Sequence, residues 1–283
     1  MITVLESITL STEYLNNKGI ESPRINAELL LAHILNCKRL NLYLSFERPL
    51  TEEEIYKYRE LLKRRSKFEP LQYIIGNVEF YGIDFKVNPS VLIPRQETEI
   101  LIENIIKQFD KHDNLKILDI GTGSGNIAIS LAKNLVNSFI TAIDISEDAL
   151  KTANENAILN SVNDRTEFIK LDIMKEELNR NDFDIVVSNP PYVSIEEFKT
   201  LRPELKEYEP KVALTDYNSG FSFYETISAK SDLLLKSGGR LFFEVGKGQL
   251  SNVLEIMGNN NLKNITVQKD YLNIERVISG EKV

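Results

Sequence analysis

The sequence predicts an α/β protein: a doubly wound, mostly parallel sheet preceded by a small N-terminal helical bundle. Three observations support this prediction. Apolar residues recur at helical spacing within residues 1–75. From about Asn114 onward, short apolar runs alternate with helical segments, which is the pattern of βαβ units. A glycine-rich turn lies directly between the first of these runs and the helical segment that follows it.

Length and composition are those of a globular chain. The 283 residues suit one large domain or two ordinary ones. Hydrophobic residues make up 42% and charged residues 27%, so a sizeable core is expected and disorder is not. The formal net charge is −8, so the average electrostatic field of the protein repels nucleic acid.

Other features of the sequence indicate a reducing compartment and no insertion into a membrane. The single cysteine, Cys37, excludes a disulfide framework and a cysteine-based metal cluster, and its apolar surroundings indicate a small buried side chain. The first residues lack the basic and apolar segments of a signal peptide. No apolar run approaches the roughly 18 residues that a membrane-spanning helix needs. We therefore expect a cytoplasmic protein.

Residues 1–75 are predicted to form the helical bundle. INAELLLAHILN has helical spacing, and Thr51 with Glu54 forms a capping box at the start of another helix. Pro23 and Pro49 fall between the periodic segments, where helices start or stop. Residues 76–93 alternate apolar and polar side chains and are predicted to form a hairpin connector. Residues 94–283 then form the main domain.

The main domain contains six apolar runs that are typical of strands. They are KILDI, FITAIDI, TEFIKLDI, FDIVVSNPPY, GRLFFEVG and NITVQKD. Helical patterns between them are NIAISLAKNL, SEDALKTANENAILN and FSFYETISAKSDLLLKSG. This alternation predicts a parallel sheet covered by helices on both faces.

The glycine-rich turn runs from Asp119 to Gly125, with the sequence DIGTGSG. Its glycines allow positive φ and let the backbone approach a ligand closely. The dinucleotide-binding version of this turn needs a third small residue one position later, and that place is taken here by Asn126. The turn therefore indicates a nucleoside ligand and argues modestly against NAD(P).

Three successive runs end in carboxylates, which are therefore predicted to lie at strand ends. Asp144 lies nineteen residues after Gly125, where it can accept both hydroxyls of a ribose. Asp172 can accept from an exocyclic adenine amine, with the Ile173 backbone beside the ring, and Asp119 can hold a cationic amino group. Such a set suits S-adenosylmethionine better than a pyrophosphate. The alternative is that these residues only cap the following helices.

Asn189-Pro190-Pro191-Tyr192 closes the fourth run and is predicted to face the same crevice. An amide or aryl amine nitrogen is a poor nucleophile, and it carries two N–H donors. The Asn189 side-chain oxygen and the Pro190 carbonyl can accept both donors, while the two prolines fix the backbone. Tyr192 offers an aromatic face to a planar group. The alternative is an ordinary strand-to-loop turn.

These motifs resemble the protein-(glutamine-N5) methyltransferases that modify class 1 peptide chain release factors. The resemblance begins with EPLQYIIGNVEFYGIDFKVNPSVLIPRQETEIL and continues through DIGTGSGNIAISLA, AIDISEDAL and SNPPYV. It ends with EPKVALTDYNSGFSFYETI, GGRLFFEVGKGQ and KDYLNIERVI. The motifs are ordered, specific and spread over most of the chain.

The resemblance implies a seven-stranded, Rossmann-like methyltransferase sheet. It implies methyl transfer from S-adenosylmethionine, giving S-adenosylhomocysteine, to the glutamine of a Gly-Gly-Gln loop, a modification of translation termination. No metal, membrane or direct nucleic-acid partner is expected, the helical domain helps to hold the release factor, and we expect a monomer. The residues implied to contact the cofactor are Asp119, Gly121, Thr122, Gly123, Ser124, Gly125, Asp144, Ile145, Asp172, Ile173 and Asn189. Asn189, Pro190, Pro191 and Tyr192 receive the glutamine, and Asn189, Pro190 and Tyr192 carry the catalysis.

Two residues depart from the family pattern. Gln96 stands where proline is usual in the IPRPETE segment, and Asn273 stands where glycine is common. Asparagine tolerates a left-handed backbone nearly as well as glycine.

The roles of several other side chains stay open at this point. Arg95, Glu97 and Glu99 either act near the cofactor or form a favourable helix N-terminus. Phe80 and Tyr81 either wall the cleft or pack in the core.

Four rival functions remain. A glutamine methyltransferase of a ribosomal protein shares nearly all these motifs. A DNA adenine-N6 methyltransferase also uses NPPY, but it needs a basic DNA-recognition region that the acidic chain lacks. A non-catalytic binding module has no chemical need for NPPY. An NAD-dependent oxidoreductase is the last alternative.

Overall fold

A computed structural model describes residues 2–283. Within it the chain divides into two compact units. The first unit runs to Gly76 and takes in Pro203–Tyr208, and the second comprises Asn77–Arg202 and Glu209–Val283. Among residues 2–283, no helix is both long and apolar enough to cross a membrane.

The first unit is helical. Its helices are α1 (Val4–Asn17), α2 (Pro23–Ile34), α3 (Arg39–Tyr43), α4 (Glu52–Arg65) and α5 (Leu71–Ile75). Pro23 is the first residue of α2, where its missing N–H costs nothing. The predicted capping box is present: Thr51 Oγ1 accepts from the Glu54 N–H, and the Glu54 carboxylate accepts from the Thr51 N–H. Pro203–Tyr208 contributes a short π-helical turn, Glu204–Tyr208.

An apolar core and one buried carboxylate hold this unit together. Leu15, Leu30 and Leu31 are completely buried in the core. Glu28 is also fully buried, and it accepts hydrogen bonds from Arg24, Arg39 and Tyr43 at 2.8, 2.6 and 2.8 Å. Burial alone would raise the pKa of Glu28, but these hydrogen bonds keep it below its ordinary value. The charge is therefore fully paired inside the bundle.

The second unit begins with a hairpin and continues into a seven-stranded sheet. The hairpin consists of β1 (Asn77–Phe80) and β2 (Ile83–Lys86). The sheet strands are β3 (Lys116–Ile120), β4 (Phe139–Asp144), β5 (Thr166–Lys170), β6 (Phe183–Ser188), β7 (Leu235–Glu244), β8 (Leu262–Lys269) and β9 (Glu275–Lys282). Their order across the sheet is β5-β4-β3-β6-β7-β9-β8, and β9 runs antiparallel to both of its neighbours.

Helices cover both faces of the sheet. They are α6 (Gln96–Gln108), α7 (Asn126–Asn134), α8 (Glu147–Leu159), α9 (Ile195–Thr200), α10 (Lys211–Leu214), α11 (Ser222–Leu234) and α12 (Leu250–Asn259). Apolar side chains of α6, α7 and α8 share one core with the hairpin, and those of α11 and α12 share another. Two cores on opposite faces of a parallel sheet define a doubly wound fold.

The predicted fold class is confirmed. The six apolar runs overlap the strands β3 to β8, with β7 and β8 beginning before their predicted runs, and the seventh strand, β9, is inserted between β7 and β8. Helix α12 has no counterpart among the predicted helical segments. The hairpin residues, predicted as a separate connector, belong to the second unit.

Candidate active site

Four neighbouring strands end at the same edge of the sheet. In the parallel ladders, Ile120 of β3 faces Ile143 of β4 on one side and Ser188 of β6 on the other. Asp144 in turn faces Lys170 of β5. The glycine turn follows Ile120 and NPPY follows Ser188, so the two motifs start side by side. After β3 the chain continues through β4 and β5 on one side and then crosses back to β6 on the other side of β3, which makes this edge a topological switch point where ligands bind.

The glycine turn has the conformation that its sequence predicts. Gly121, Gly123 and Gly125 have φ values of 75°, 54° and 81°, a left-handed region that costs most residues energy. At Gly121 and Gly123 an added Cβ would meet no atom within 4 Å. At Gly125 it would lie 2.9 Å from the side chain of Ile129 in α7 and 3.1 Å from that of Ala153 in α8, because the start of α7 packs closely against α8. The first two glycines leave open space above the turn, and the third permits close packing beneath it.

Asp144 ties the end of β4 to this turn. Its carboxylate accepts from the backbone N–H of Gly123 and from that of Ser146, both at 2.9 Å. Burial raises the pKa of Asp144, while these backbone hydrogen bonds oppose the rise. Each carboxylate oxygen retains a second lone pair that can accept from a ligand hydroxyl.

A cavity of about 800 Å³ opens above the strand ends. Nine of the predicted site residues line it: Gly121, Gly123, Asp144, Ile145, Asp172, Ile173, Asn189, Pro190 and Pro191. Its other walls come from segments that the sequence did not single out, among them Ser90, Val91, Leu92, Leu171, Pro210, Val212, Ala213 and Phe223. Most of this lining is apolar, with carboxylates at two places.

The remaining turn residues lie outside the cavity lining. Asp119 is completely buried, and Thr122 Oγ1 donates to its carboxylate at 2.7 Å. Its second oxygen has no hydrogen-bond partner in the described chain, and burial raises the pKa of Asp119 to about 7. The Ser124 carbonyl accepts from the Asn156 side chain at 2.9 Å. Asp119, Thr122, Ser124 and Gly125 thus underpin the turn.

Asp172 lies two residues beyond the end of β5, whereas the sequence placed it at the strand end. Its carboxylate accepts from the Met174 N–H at 3.0 Å and pairs with Lys175 at 3.0 Å. It nevertheless lines the cavity together with Ile173 and the apolar side chain of Leu171. The carboxylate and the adjacent apolar wall are suited to the polar edge and the flat face of a base.

The NPPY tetrapeptide is divided between two cavities. Asn189, Pro190 and Pro191 line the large one, and Asn189 Nδ2 donates to Thr98 Oγ1 at 3.2 Å. Tyr192 instead lines a neighbouring cleft of about 410 Å³. The other walls of that cleft are Arg95, Glu97, Glu244 and Arg276.

A hydrogen bond and a close backbone approach fix the position of Tyr192. Its carbonyl oxygen accepts from the Gln249 side chain at 2.8 Å. A Cβ on Gly220 would lie 2.4 Å from the same oxygen, so only glycine fits there. Burial raises the pKa of Tyr192 well above its ordinary value, and the phenol stays protonated at neutral pH.

The contacts made by the residues at and near the start of α6 distinguish the roles that the sequence left open. Arg95 pairs with the buried carboxylate of Glu209 at 2.5 Å, and Glu99 accepts from the Tyr81 N–H at 2.8 Å, holding the hairpin turn. Phe80 is buried in the core beside the hairpin, and Tyr81 packs against that core. Neither aromatic residue lines the large cavity. Of the three charged residues, Arg95 and Glu97 border the smaller cleft.

Several residues around the site have no sequence motif that would have marked them. Asn156 bridges the glycine turn to the hairpin, since its side chain also bonds both backbone groups of Lys86. Thr98 and Glu244 lie beside NPPY, and Gln249 holds Tyr192. Their residue types are common, and only the fold brings them to the site.

The cavity fits S-adenosylmethionine. The open backbone at Gly121 and Gly123 admits a ligand at close range, Asp144 offers acceptors for ribose hydroxyls, and Asp172 lies beside an apolar wall. Asp144 and Asp172 also suit a ligand that carries a positive charge. Among residues 2–283, no group of three or more His, Cys, Asp or Glu side chains is arranged to hold a metal ion.

Comparison with known protein families gives two matches. Residues 6–76 match the family described as the PrmC N-terminal domain, and residues 111–271 match a methyltransferase domain. The second match covers more than half of the chain and contains the glycine turn, Asp144, Asp172 and NPPY.

Individual relatives agree with these families. The chain is 42% identical, over 98% of its length and 78% of the relative's, to the release factor glutamine methyltransferase of Fusobacterium nucleatum subsp. nucleatum. It is 39% identical, over 98% of its length and 96% of the relative's, to the protein of the same name in Chlorobaculum tepidum. Among solved structures, a methyltransferase from Pyrococcus furiosus superposes with a TM-score of 0.50 at 19% identity, covering 72% of this chain and 90% of that one. The last comparison shows the fold alone.

Proposed function

This chain belongs to the family of release factor glutamine methyltransferases, and on that premise we propose how its residues carry out the reaction. The enzyme transfers a methyl group from S-adenosylmethionine to the side-chain amide nitrogen of the glutamine in the Gly-Gly-Gln loop of class 1 peptide chain release factors. One observation carries the assignment of the site. NPPY and the glycine turn begin at the paired residues Ser188 and Ile120, so the amide acceptor group and the cofactor turn share one cavity.

Asn189 and Pro190 are the groups that act on the substrate. The Asn189 side-chain oxygen and the Pro190 carbonyl each accept one N–H of the substrate amide. Two accepted hydrogen bonds raise the electron density on nitrogen and fix the direction of its lone pair. No base is needed before transfer, because the N–H becomes acidic only as the nitrogen is methylated; the methylated amide then releases one of its two N–H protons to solvent.

Residues around the large cavity hold and orient the cofactor. When bound, S-adenosylmethionine supplies an electrophilic methyl group. Asp144 accepts the ribose hydroxyls, Gly121 and Gly123 allow close approach of the backbone, and Asp172 with Ile173 receives the adenine. Asp119 and Thr122 support the turn from beneath, and the apolar walls exclude water from the reacting atoms.

The first unit is proposed to hold the release factor. It forms a compact helical unit with its own core, and residues 6–76 match a family domain of their own. It leaves large apolar side chains exposed on α3, where Leu40 and Leu44 are 78% and 88% exposed. An exposed apolar surface of this kind favours contact with another protein.

The decisive experiment measures transfer of a radiolabelled methyl group from S-adenosylmethionine to a purified, unmethylated release factor. The matched control is the same factor with its loop glutamine changed to alanine. Label on the first substrate and none on the second supports the proposal. Label on a ribosomal protein or on duplex DNA, with none on the release factor, would keep methyl transfer and replace the substrate.

A further inference from the structure

The Asn189 side chain must present its oxygen, not its NH₂ group, to the substrate amide. The two orientations have almost the same shape, so only hydrogen bonds distinguish them. In the structure Asn189 Nδ2 donates to Thr98 Oγ1 at 3.2 Å. Thr98 lies in the first turn of α6 and is only 1% exposed, so water does not compete for this contact.

A threonine hydroxyl can either donate or accept, and it therefore fixes the Asn189 orientation only if its own proton points elsewhere. The Glu244 carboxyl, at the end of β7 and 1% exposed, lies in the cleft of Tyr192 and acts electrostatically with Thr98, and its Oε2 atom is buried with no hydrogen-bond partner in the described chain. An ionised carboxylate only accepts hydrogen bonds. Because the Thr98 oxygen already accepts from Asn189, its own proton is free to turn toward this unpartnered carboxylate oxygen.

We propose that Glu244 and Thr98 are positioning residues that hold the Asn189 amide in its reactive orientation through a buried chain of hydrogen bonds. The inference rests on the proposed function and adds two residues to it. Because Glu244 and Tyr192 line the same cleft, one carboxylate lies near both ends of NPPY. Neither Glu244 nor Thr98 touches the substrate or the cofactor in this scheme.

Protonation of Glu244 reverses the direction of these hydrogen bonds. A neutral carboxyl can donate to Thr98, which can then donate to the Asn189 oxygen and turn the NH₂ group toward the substrate. Burial raises the pKa of Glu244 to about 7; Thr98 and Tyr192 oppose that rise by hydrogen bonding. The charged groups that face Glu244 are Arg276, which also opposes it, and Glu97, which adds to it.

Arg95 lines the same cleft. The arrangement that presents the Asn189 oxygen requires an ionised Glu244, so we expect its population to increase as pH rises through about 7.

Four variants test the inference in the methyl-transfer assay. Thr98→Val keeps the shape and removes the hydroxyl, Thr98→Ser restores the hydroxyl, and Glu244→Gln replaces the acceptor with a group that can donate. Thr141→Val is the control, because Thr141 is also 1% exposed and lies on β4 outside the cavity lining.

We expect kcat to fall about 10- to 100-fold in Thr98→Val, with the KM for the cofactor within about 3-fold of the parent, and Thr98→Ser to recover most of the rate. In Glu244→Gln the rise of kcat between pH 6 and 8 should disappear. Undiminished turnover in Thr98→Val, or equal losses in the valine and serine variants, would overturn the inference.

A second readout does not depend on the substrate. The side-chain NH₂ signals of Asn189, assigned by their loss in Asn189→Ala, should shift in Thr98→Val and stay in place in Thr141→Val. Unmoved signals in Thr98→Val would contradict the inference even if the release factor is methylated. Shifted signals in an enzyme that methylates no release factor would keep the positioning chain and discard the proposed substrate.

Discussion

The side-chain carboxylate of Asp144 accepts the backbone N–H of Gly123 at 2.9 Å, and this bond joins the end of β4 to the turn after β3. The same carboxylate accepts from the Ser146 N–H and lines the large cavity. Asp144 thus shapes the turn and faces the proposed cofactor. A substitution there tests both roles.

Asp144→Asn should weaken cofactor binding about 10- to 100-fold. The amide keeps one acceptor oxygen, so it cannot bond both backbone groups and still accept two ribose hydroxyls. Isothermal titration with S-adenosylhomocysteine measures the change. Asp148→Asn, an exposed position in the first turn of α8, is the matched control and should bind like the parent. Equal affinity in both variants would argue against the ribose role of Asp144.

Asn189→Ala should lower methyl transfer by about 100-fold or more, because it removes one of the two acceptors for the substrate amide. Cofactor affinity should stay within about 10-fold of the parent, since Asp144 and the glycine turn are untouched. Single-turnover kinetics with the release factor give the first quantity and calorimetry gives the second. Asn259→Ala, exposed at the end of α12, serves as the control. Rapid turnover by Asn189→Ala would disprove the proposed mechanism.

Gly220→Ala should displace Tyr192 and reduce methyl transfer about 10-fold or more. Its Cβ would lie 2.4 Å from the Tyr192 carbonyl oxygen, and φ at Gly220 is +87°. Gly238→Ala has similar backbone strain, with φ of +77°, but its Cβ would meet no atom within 4 Å. Both variants should lose about 1 kcal/mol of stability or more, while only Gly220→Ala should lose activity. Similar kinetic losses in the two would attribute the effect to strain.

Asp119→Asn should change how stability depends on pH. Burial raises the pKa of Asp119 from 3.8 to about 7 in the folded chain. Below pH 4 the group is protonated in both states; between pH 4 and 7 the unfolded chain releases its proton first, so folding stability falls as pH rises.

The asparagine variant lacks this loss. Its free energy of unfolding relative to the parent should therefore increase by a few kcal/mol between pH 4 and 8. Urea titrations without cofactor measure it, with Asp148→Asn as control. A pH-independent difference would show that Asp119 does not retain its proton on folding.

Local patterns in the sequence determine much of this fold. The strands β3 to β8 are short apolar runs between turn signals, and α7, α8 and α11 have clear helical periodicity. Because parallel strands end at one edge, the glycine turn and NPPY could be placed together without coordinates. Asn273 has a φ of 61°, the left-handed backbone that its glycine-like position suggested.

The features of the site that could not be predicted from the sequence depend on contacts between distant residues. Thr98 and Asn189 are 91 residues apart, and neither residue type in isolation indicates the hydrogen bond between them. Asp119 and Asp144 look alike as acids at the ends of strands, yet the first is sealed in the interior and the second lines the cavity. Asp119 faces Ala142 in the β3–β4 ladder, so Asp144 lies two residues further along on the same face, at the strand end where the cavity opens.

The chain passes between its two units three times, because Pro203–Tyr208 belongs with the first. Within that unit Glu204 pairs with Arg65 at 3.1 Å, and the Tyr208 hydroxyl donates to the Lys67 carbonyl at 2.7 Å. A chimera that exchanges only the N-terminal segment between relatives would therefore separate matched partners. Moving this helical unit intact from one relative to another requires two coordinated exchanges of sequence, one at the amino terminus and one in the loop that follows NPPY.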